Sequence, residues 1–303
     1  MLKQISLLIL CAAAIVWFAT PVQACTSAVV SGKVTPDGRP LLWKNRDTDF
    51  MRNHIDYVKG EKYNFIAVVN SANAYLKEAW MGTNSLGFAL MNTQSYNLVD
   101  VKGDEERGAA NGRVIYRALE VCATVEDFCH FLDTISKPSD IEANFGVIDA
   151  QGGAAMFEVD YYKYVMYDAN NPKDAPYGYI ARTNFSFAGK VNEGAGYVRY
   201  MEADQVLMKA SATGSITPQF IFNDLSRSFR NRMLDIDLRS GAYNRPQASG
   251  WFVDQDFIPR SSTSCSVVVQ GVKPGEKAEL TTMWTLLGLS LIHISEPTRL
   301  QLI

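Results

Sequence analysis

Strand-like segments stand at both ends of this 303-residue chain with helical segments between them, and that order limits the architectures open to it. Near the start, β-branched and apolar runs cover Thr26–Ser31, Pro40–Asn45, Asn64–Asn70 and Leu86–Asn92. Pro36-Asp37-Gly38 is a turn sequence that joins the first two as a hairpin. Arg113–Val121 places Val114, Ile115, Leu119 and Val121 at helical spacings, and Thr124-Val125-Glu126-Asp127 opens a second helix with a capping box. Strands return at Asn144–Asp149 and Ala154–Val159 around Gln151-Gly152-Gly153, then at Tyr162–Tyr167. Helices are expected at Tyr197–Lys209 and Thr217–Ser228, and strands at Ser264–Val269 and Ala278–Trp284. Strands flanking helices in this way predict an α+β layered fold.

The first residues read as an export signal. Lys3 supplies the positive start, Ile5 to Ala19 are apolar or small, and Val22 and Ala24 stand at −3 and −1 of a cut before Cys25. The apolar run is shorter than the roughly 20 residues that span a bilayer, so no stable membrane span is expected once the signal is cut. Residues 1–24 are therefore expected to leave, and the product to be periplasmic or secreted. Val22-Gln23-Ala24-Cys25 also loosely fits a lipoprotein cut site, where Cys25 would carry lipid. Gln23 and the strand-like Thr26–Val30 speak against that alternative. At the other end, Leu289 to Arg299 reads LSLIHISEPTR, which matches in order the translation of a transposase sequencing adapter. Residues 289–303 are accordingly read as non-native, which leaves 25–288 as one C-terminally truncated domain. No Pro/Ser/Gly-rich linker divides that stretch.

With 47% apolar and 20% charged residues, the chain is of ordinary globular composition, and its net charge of −3 gives no basic stripe for nucleic acid. Cys11 leaves with the signal; Cys25, Cys122, Cys129 and Cys265 remain. Cys122 and Cys129 on one continuous helix would stand about 10 Å apart, beyond disulfide reach, and read as buried apolar residues. Cys25 differs, because an N-terminal thiol carries its own base. A thiol titrates near 8.5 and an α-amine at about 7.7–8.0, so the amine can accept the thiol proton without a histidine. That suits a chain with few histidines: His130 falls in a helix as a structural residue, and His54, among Arg52, Asn53 and Asp56, reads as a solvated loop residue.

Cys25-Thr26-Ser27, Gly32-Lys33, Asp37-Gly38 and Lys44-Asn45-Arg46-Asp47 together resemble the opening of N-terminal nucleophile amidohydrolases. The resemblance is to the isopenicillin-N acyltransferase-like and choloylglycine hydrolase (bile salt hydrolase, penicillin V acylase) families, and a related dipeptidase family opens similarly. Further matches follow in order: Gly82-Thr83-Asn84-Ser85-Leu86-Gly87-Phe88 with Asn92, Asn144 through Glu158, Ala181-Arg182-Thr183-Asn184-Phe185, Gly196-Tyr197-Val198-Arg199-Tyr200, and Thr263 to Val269. The likeness implies a four-layer αββα sandwich with two stacked antiparallel sheets, and a hydrolase of linear amides that needs no cofactor and no metal. By resemblance, Cys25 attacks and its amine is the base. Asp47 orients that amine, Asn184 and Asn92 donate to the oxyanion, and Arg199 steadies charge near the thiol. The choloylglycine type has an arginine three residues before the aspartate; here that residue is Lys44, and Arg46 adjoins Asp47 instead, so either cation stands as the neighbour of the sulfur. The expected partner is a small-molecule amide, with Trp43, Phe50, Tyr57, Trp80 and Tyr96 as candidates for an apolar pocket. Acyl transfer and dipeptide cleavage use the same residues, and a homo-oligomer is left open.

Overall fold

A computed structural model describes residues 24–100, 108–240 and 256–288. Residues 1–23 of the expected leader 1–24 and the adapter-like stretch 289–303 lie outside the described residues. In chain order the strands are β1 (Thr26–Val30), β2 (Leu41–Asp47), β3 (Asn53–Val58), β4 (Phe65–Asn70), β5 (Met81–Asn84), β6 (Ala89–Gln94), β7 (Ala143–Ile148), β8 (Ala154–Val159), β9 (Tyr164–Asp168), β10 (Tyr179–Arg182), the short pair β11 (Arg230–Asn231) and β12 (Ile236–Asp237), β13 (Thr263–Gln270) and β14 (Thr282–Leu287). The longer helices are α1 (Asn111–Val121), α2 (Val125–Thr134) and α3 (Tyr197–Ala212).

Among the described residues two large antiparallel sheets result beside the short β11–β12 pair, one of five strands in the order β10-β1-β2-β13-β14 and one of seven running β3 to β9. Alternation along each strand decides which layer a side chain enters. Val29, Leu42, Cys265 and Val267 point inward and meet Ile66, Met81, Met91 and Met156 of the larger sheet. Ala28, Leu41, Trp43 and Val268 point outward, under Ala203, Leu207 and Ala210 of α3. On the far side, Ile115, Leu119, Phe128 and Leu132 of α1 and α2 cover Phe65, Phe88, Phe145 and Phe157. Helices thus lie on both outer faces of two stacked sheets, and the chain is an αββα sandwich. Gly146 sets how closely the sheets approach: a Cβ there would stand 2.3 Å from Met91 Cε and 2.8 Å from Leu42 Cδ1.

The hairpin β1–β2 and the capping box at Thr124 are as expected: Thr124 Oγ1 accepts the Asp127 N–H at 3.0 Å, and an Asp127 oxygen accepts from the Thr124 N–H at 3.1 Å. Four expectations change. Cys122 falls in the break between α1 and α2, so no continuous helix joins it to the half-buried Cys129; no disulfide links the four described cysteines. His54 belongs to edge strand β3, half-buried, with Nδ1 3.1 Å from Ser71 Oγ, and is not a loop residue. The last strand begins at Thr282, because Ala278–Leu280 forms a 3-10 turn. In place of one helix over Thr217–Ser228, a turn at Pro218–Phe220 widens into a π-helix at Ile221–Leu225. That wide turn brings the Ser226 carbonyl to within 3.2 Å of Asn45 Nδ2 in the sheet beneath.

Candidate active site

Cys25 lies immediately before β1, the strand between β10 and β2 in the smaller sheet, and is buried. Its backbone N–H donates to Asn184 Oδ1 at 2.9 Å. Arg199 Nη2 donates to the same oxygen at 2.9 Å, while Nη1 donates to the Cys25 carbonyl at 2.5 Å and to Thr26 Oγ1 at 3.0 Å. Two donors converging on one atom of the Asn184 amide fix that atom as the oxygen. Nδ2 is then the donor that reaches the Gln94 carbonyl at 2.8 Å. Arg199 reaches this point because α3 is entered from its N-cap Gly196, whose φ of +85° favours glycine. A Cβ at Gly196 would stand 2.2 Å from Arg199 Nη2. Burial pulls the Arg199 guanidinium down to about 10, with Arg260 acting in the same direction and Asp47 opposing.

Asp47 ends β2 on the α3 side of the sheet. Its Oδ1 accepts Thr263 Oγ1–H at 2.6 Å, and Arg260 Nε lies 3.4 Å from Oδ2. It is the Asp47 backbone carbonyl, 3.8 Å from Cys25 Sγ, that accepts from the thiol. Burial pushes the Asp47 carboxyl up to about 6, while Arg260, Arg199, Thr263 and Lys44 each pull it down. Among the described residues, Asp47 Oδ2, Arg199 Nε and Arg260 Nε and Nη2 are buried without a hydrogen-bond partner.

Cross-strand pairing places Lys44 opposite Ser27 on the inter-sheet face, and Arg46 follows on the same face. Lys44 Nζ donates to Asn92 Oδ1 at 2.9 Å and to the Trp80 carbonyl at 3.1 Å, which ties β2 to β6 of the other sheet. Burial lowers Lys44 to about 8, with the Cys25 charge the largest opposing influence. Arg46 is held elsewhere: Nη1 donates to Asn53 Oδ1 at 2.5 Å, Nη2 to Asn70 Oδ1 at 2.9 Å, and its Cζ lies 4.7 Å from the Trp80 ring centroid. Cys265, across from Arg46, has its thiol pushed up by burial.

Cys25, Asn184 and Arg199 are therefore directly bonded to one another. Asp47 meets Cys25 through its own carbonyl, Asn92 enters through Lys44, and Arg46 is engaged by asparagines of the second sheet. Among the aromatic residues, Trp43 does not line a pocket: it is fully buried in the layer beneath α3, with Nε1 3.3 Å from Ser266 Oγ. Phe50 and Tyr57 are exposed, Tyr96 is half-buried, and Trp80 lies against the two cations. Arg260, Thr263 and Gln94 also form part of the site. Arg260 and Gln94 belong to no motif, and Thr263 carries no sign beyond its place at the start of a strand; only the tertiary fold brings the three in. Among the described residues, no group of three His, Cys, Asp or Glu could hold a metal ion, and no helix is long and apolar enough to cross a membrane.

A family profile described as acyl-coenzyme A:6-aminopenicillanic acid acyl-transferase matches residues 34–211. Similar solved structures include an N-acylethanolamine-hydrolyzing acid amidase ortholog from Caenorhabditis elegans, at 13% identity and a TM-score of 0.49, covering 86% of this chain and 100% of that one. A mutant conjugated bile acid hydrolase from Clostridium perfringens is similar at 14% identity and a TM-score of 0.49, over 91% of this chain and 92% of that one. Penicillin V acylase from Agrobacterium tumefaciens is similar at 15% identity and a TM-score of 0.42, over 87% and 82%. No curated protein matches.

Proposed function

The chain belongs to the acyl-coenzyme A:6-aminopenicillanic acid acyl-transferase family, within the N-terminal nucleophile hydrolase superfamily, and from that premise we propose that it is an exported cysteine amidohydrolase. Its nucleophile is Cys25, made the first residue by removal of 1–24, and its substrate is a small N-acyl amide. The observation that carries this reading is the hydrogen-bonded triangle of Cys25, Asn184 and Arg199 beside a buried Asp47 carboxyl.

A cut after Ala24 turns the Cys25 nitrogen from an amide into an amine, a group able to take the thiol proton. The sulfur then attacks the substrate carbonyl carbon, and the carbonyl electrons move onto its oxygen. Asn184 Nδ2 has a second hydrogen beyond the one spent on Gln94, and Asn92 Nδ2 remains a donor while its Oδ1 holds Lys44. Such donors are each worth about 3–4 kcal/mol to an oxyanion. Collapse breaks the C–N bond as the α-ammonium gives its proton to the departing amine, leaving a thioester on Cys25. Water activated by the same amine releases the carboxylic acid and restores the thiol. A second amine in place of water gives acyl transfer.

The test is expression of the full chain with its leader in a bacterium, followed by intact mass and assay. Loss of residues 1–24 alone is expected, with turnover of some member of a panel of penicillin V, N-acyl amino acids, conjugated bile acids and dipeptides. Cys25→Ala should be inactive on the same substrate. An added diacylglycerol, or a fully active Cys25→Ala, overturns the proposal.

A further inference from the structure

Arg260 stands in the loop before β13 with its side chain only 8% exposed, and it forms a salt bridge with Asp47. Nε lies 3.4 Å from Asp47 Oδ2, yet neither Nε nor Nη2 forms a hydrogen bond among the described residues. We propose that Arg260 is a positioning residue: it holds the buried Asp47 side chain in its charged form, so that Oδ2 can take the Cys25 α-ammonium. The proposal rests on the reading of Cys25 as an N-terminal nucleophile.

The other groups facing Asp47 have other work. Arg199 on α3 spends its Nη atoms on the Cys25 carbonyl, Thr26 and Asn184, and it also feels Asp256. Lys44, on β2, is turned to the opposite face and bound to Asn92 and Trp80. Arg46, also on β2, is held by Asn53 and Asn70. Thr263 on β13 gives Oδ1 a neutral hydrogen bond. From the residue ahead of β1 come the Cys25 thiol and nitrogen. Arg260 is therefore the cation left to offset the burial of the carboxylate, and it is the strongest of the opposing influences on Asp47. Its contact geometry fits the task. A two-pronged guanidinium would occupy both carboxylate oxygens. Here Thr263 takes Oδ1 and Arg260 approaches Oδ2 through Nε alone, so Oδ2 keeps a lone pair for the amine.

The charged Asp47 stabilises the ammonium, and through it the thiolate, so alkylation of Cys25 reports its state without any substrate. The experiment measures the rate of iodoacetamide labelling of Cys25 against pH, by intact mass, in processed protein. The proteins are wild type, Arg260→Gln, Arg260→Lys, Asp47→Asn and Asp47→Asn with Arg260→Gln. Removing a cation within 4 Å raises a carboxyl by about 1–3 units. The pH of half-maximal labelling should therefore move up by about one unit or more in Arg260→Gln. It should stay near wild type in Arg260→Lys, and Arg260→Gln should add no shift in the Asp47→Asn background. An unmoved midpoint in Arg260→Gln, or an equal shift with and without Asp47, overturns the proposal. So does a shift of a unit in Arg260→Lys, an arm that stands alone if the Gln variant does not fold. If wild-type Cys25 labels no faster than Cys122 and Cys265, the nucleophile assignment itself fails, whatever Arg260 does.

Discussion

The two faces of the β1–β2 pair near Cys25 carry comparable charge and treat it differently. On the inter-sheet face, Lys44 Nζ has two acceptors, and Arg46 has two asparagine oxygens and the Trp80 ring. On the α3 face, Asp47 Oδ2, Arg199 Nε and two nitrogens of Arg260 are buried without hydrogen bonds among the described residues. Each such group costs a fold about 1–3 kcal/mol. The difference is in the charged groups: those of the closed face are paired and cement two sheets together, with Trp80 Nε1 left unpartnered there among the described residues, and those of the open face surround the nitrogen at which the proposed cut creates a new charge.

The largest effect should come from Cys25→Ala, which should lower kcat by at least about 10^4-fold while changing the melting temperature little. A variant that unfolds would instead make Cys25 part of the cement. Next, on the open face, Asn184→Ala should cost about 10^2–10^3-fold in kcat with a smaller change in KM, measured on the same amide. On the closed face, Arg46→Met should act mainly on stability, losing about 1–3 kcal/mol in urea unfolding as Asn53 and Asn70 lose a partner. A hundredfold loss of kcat at unchanged stability would erase the distinction between the faces. The smallest effect is in pH. The rate should rise through about 6 as Asp47 loses its proton, and fall past about 8 as Lys44 loses its own. Asn92→Asp would lower kcat by removing an oxyanion donor, and in the remaining activity its carboxylate beside Lys44 would favour the ammonium and carry the alkaline limb upward. A limb that stays put in that variant would show that Lys44 does not set it.

Much of this was legible in the sequence, because motif order survives where spacing drifts. Cys25, Asp47, Asn184 and Arg199 stand in segments that match in order: a hairpin opening, a Thr-Asn pair, and a glycine before a helix. Thr124 and Asp127 were readable for the same reason, since a capping box closes within one turn of chain. Arg260 was not readable, because its part depends on a loop arriving at a strand end more than two hundred residues upstream in the sequence. Strands β3, β5 and β10 escaped notice too. Edge strand β3 buries little and shows no clean alternation, while β5 and β10 are four residues each and too short for a period to register. Trp43 misled in the opposite way: next to Lys44 on a strand it points to the other face, and there it packs beneath α3 and lines no pocket.

Arg199 grips the carbonyl of Cys25, on the downstream side of that residue. New chain ends usually fray, because the backbone that held them has gone. Here the anchor lies beyond the bond that the proposed cut would break. Shortening the chain at that point would alter what the nitrogen is and leave where it is untouched, so that a freshly trimmed molecule would start work already assembled.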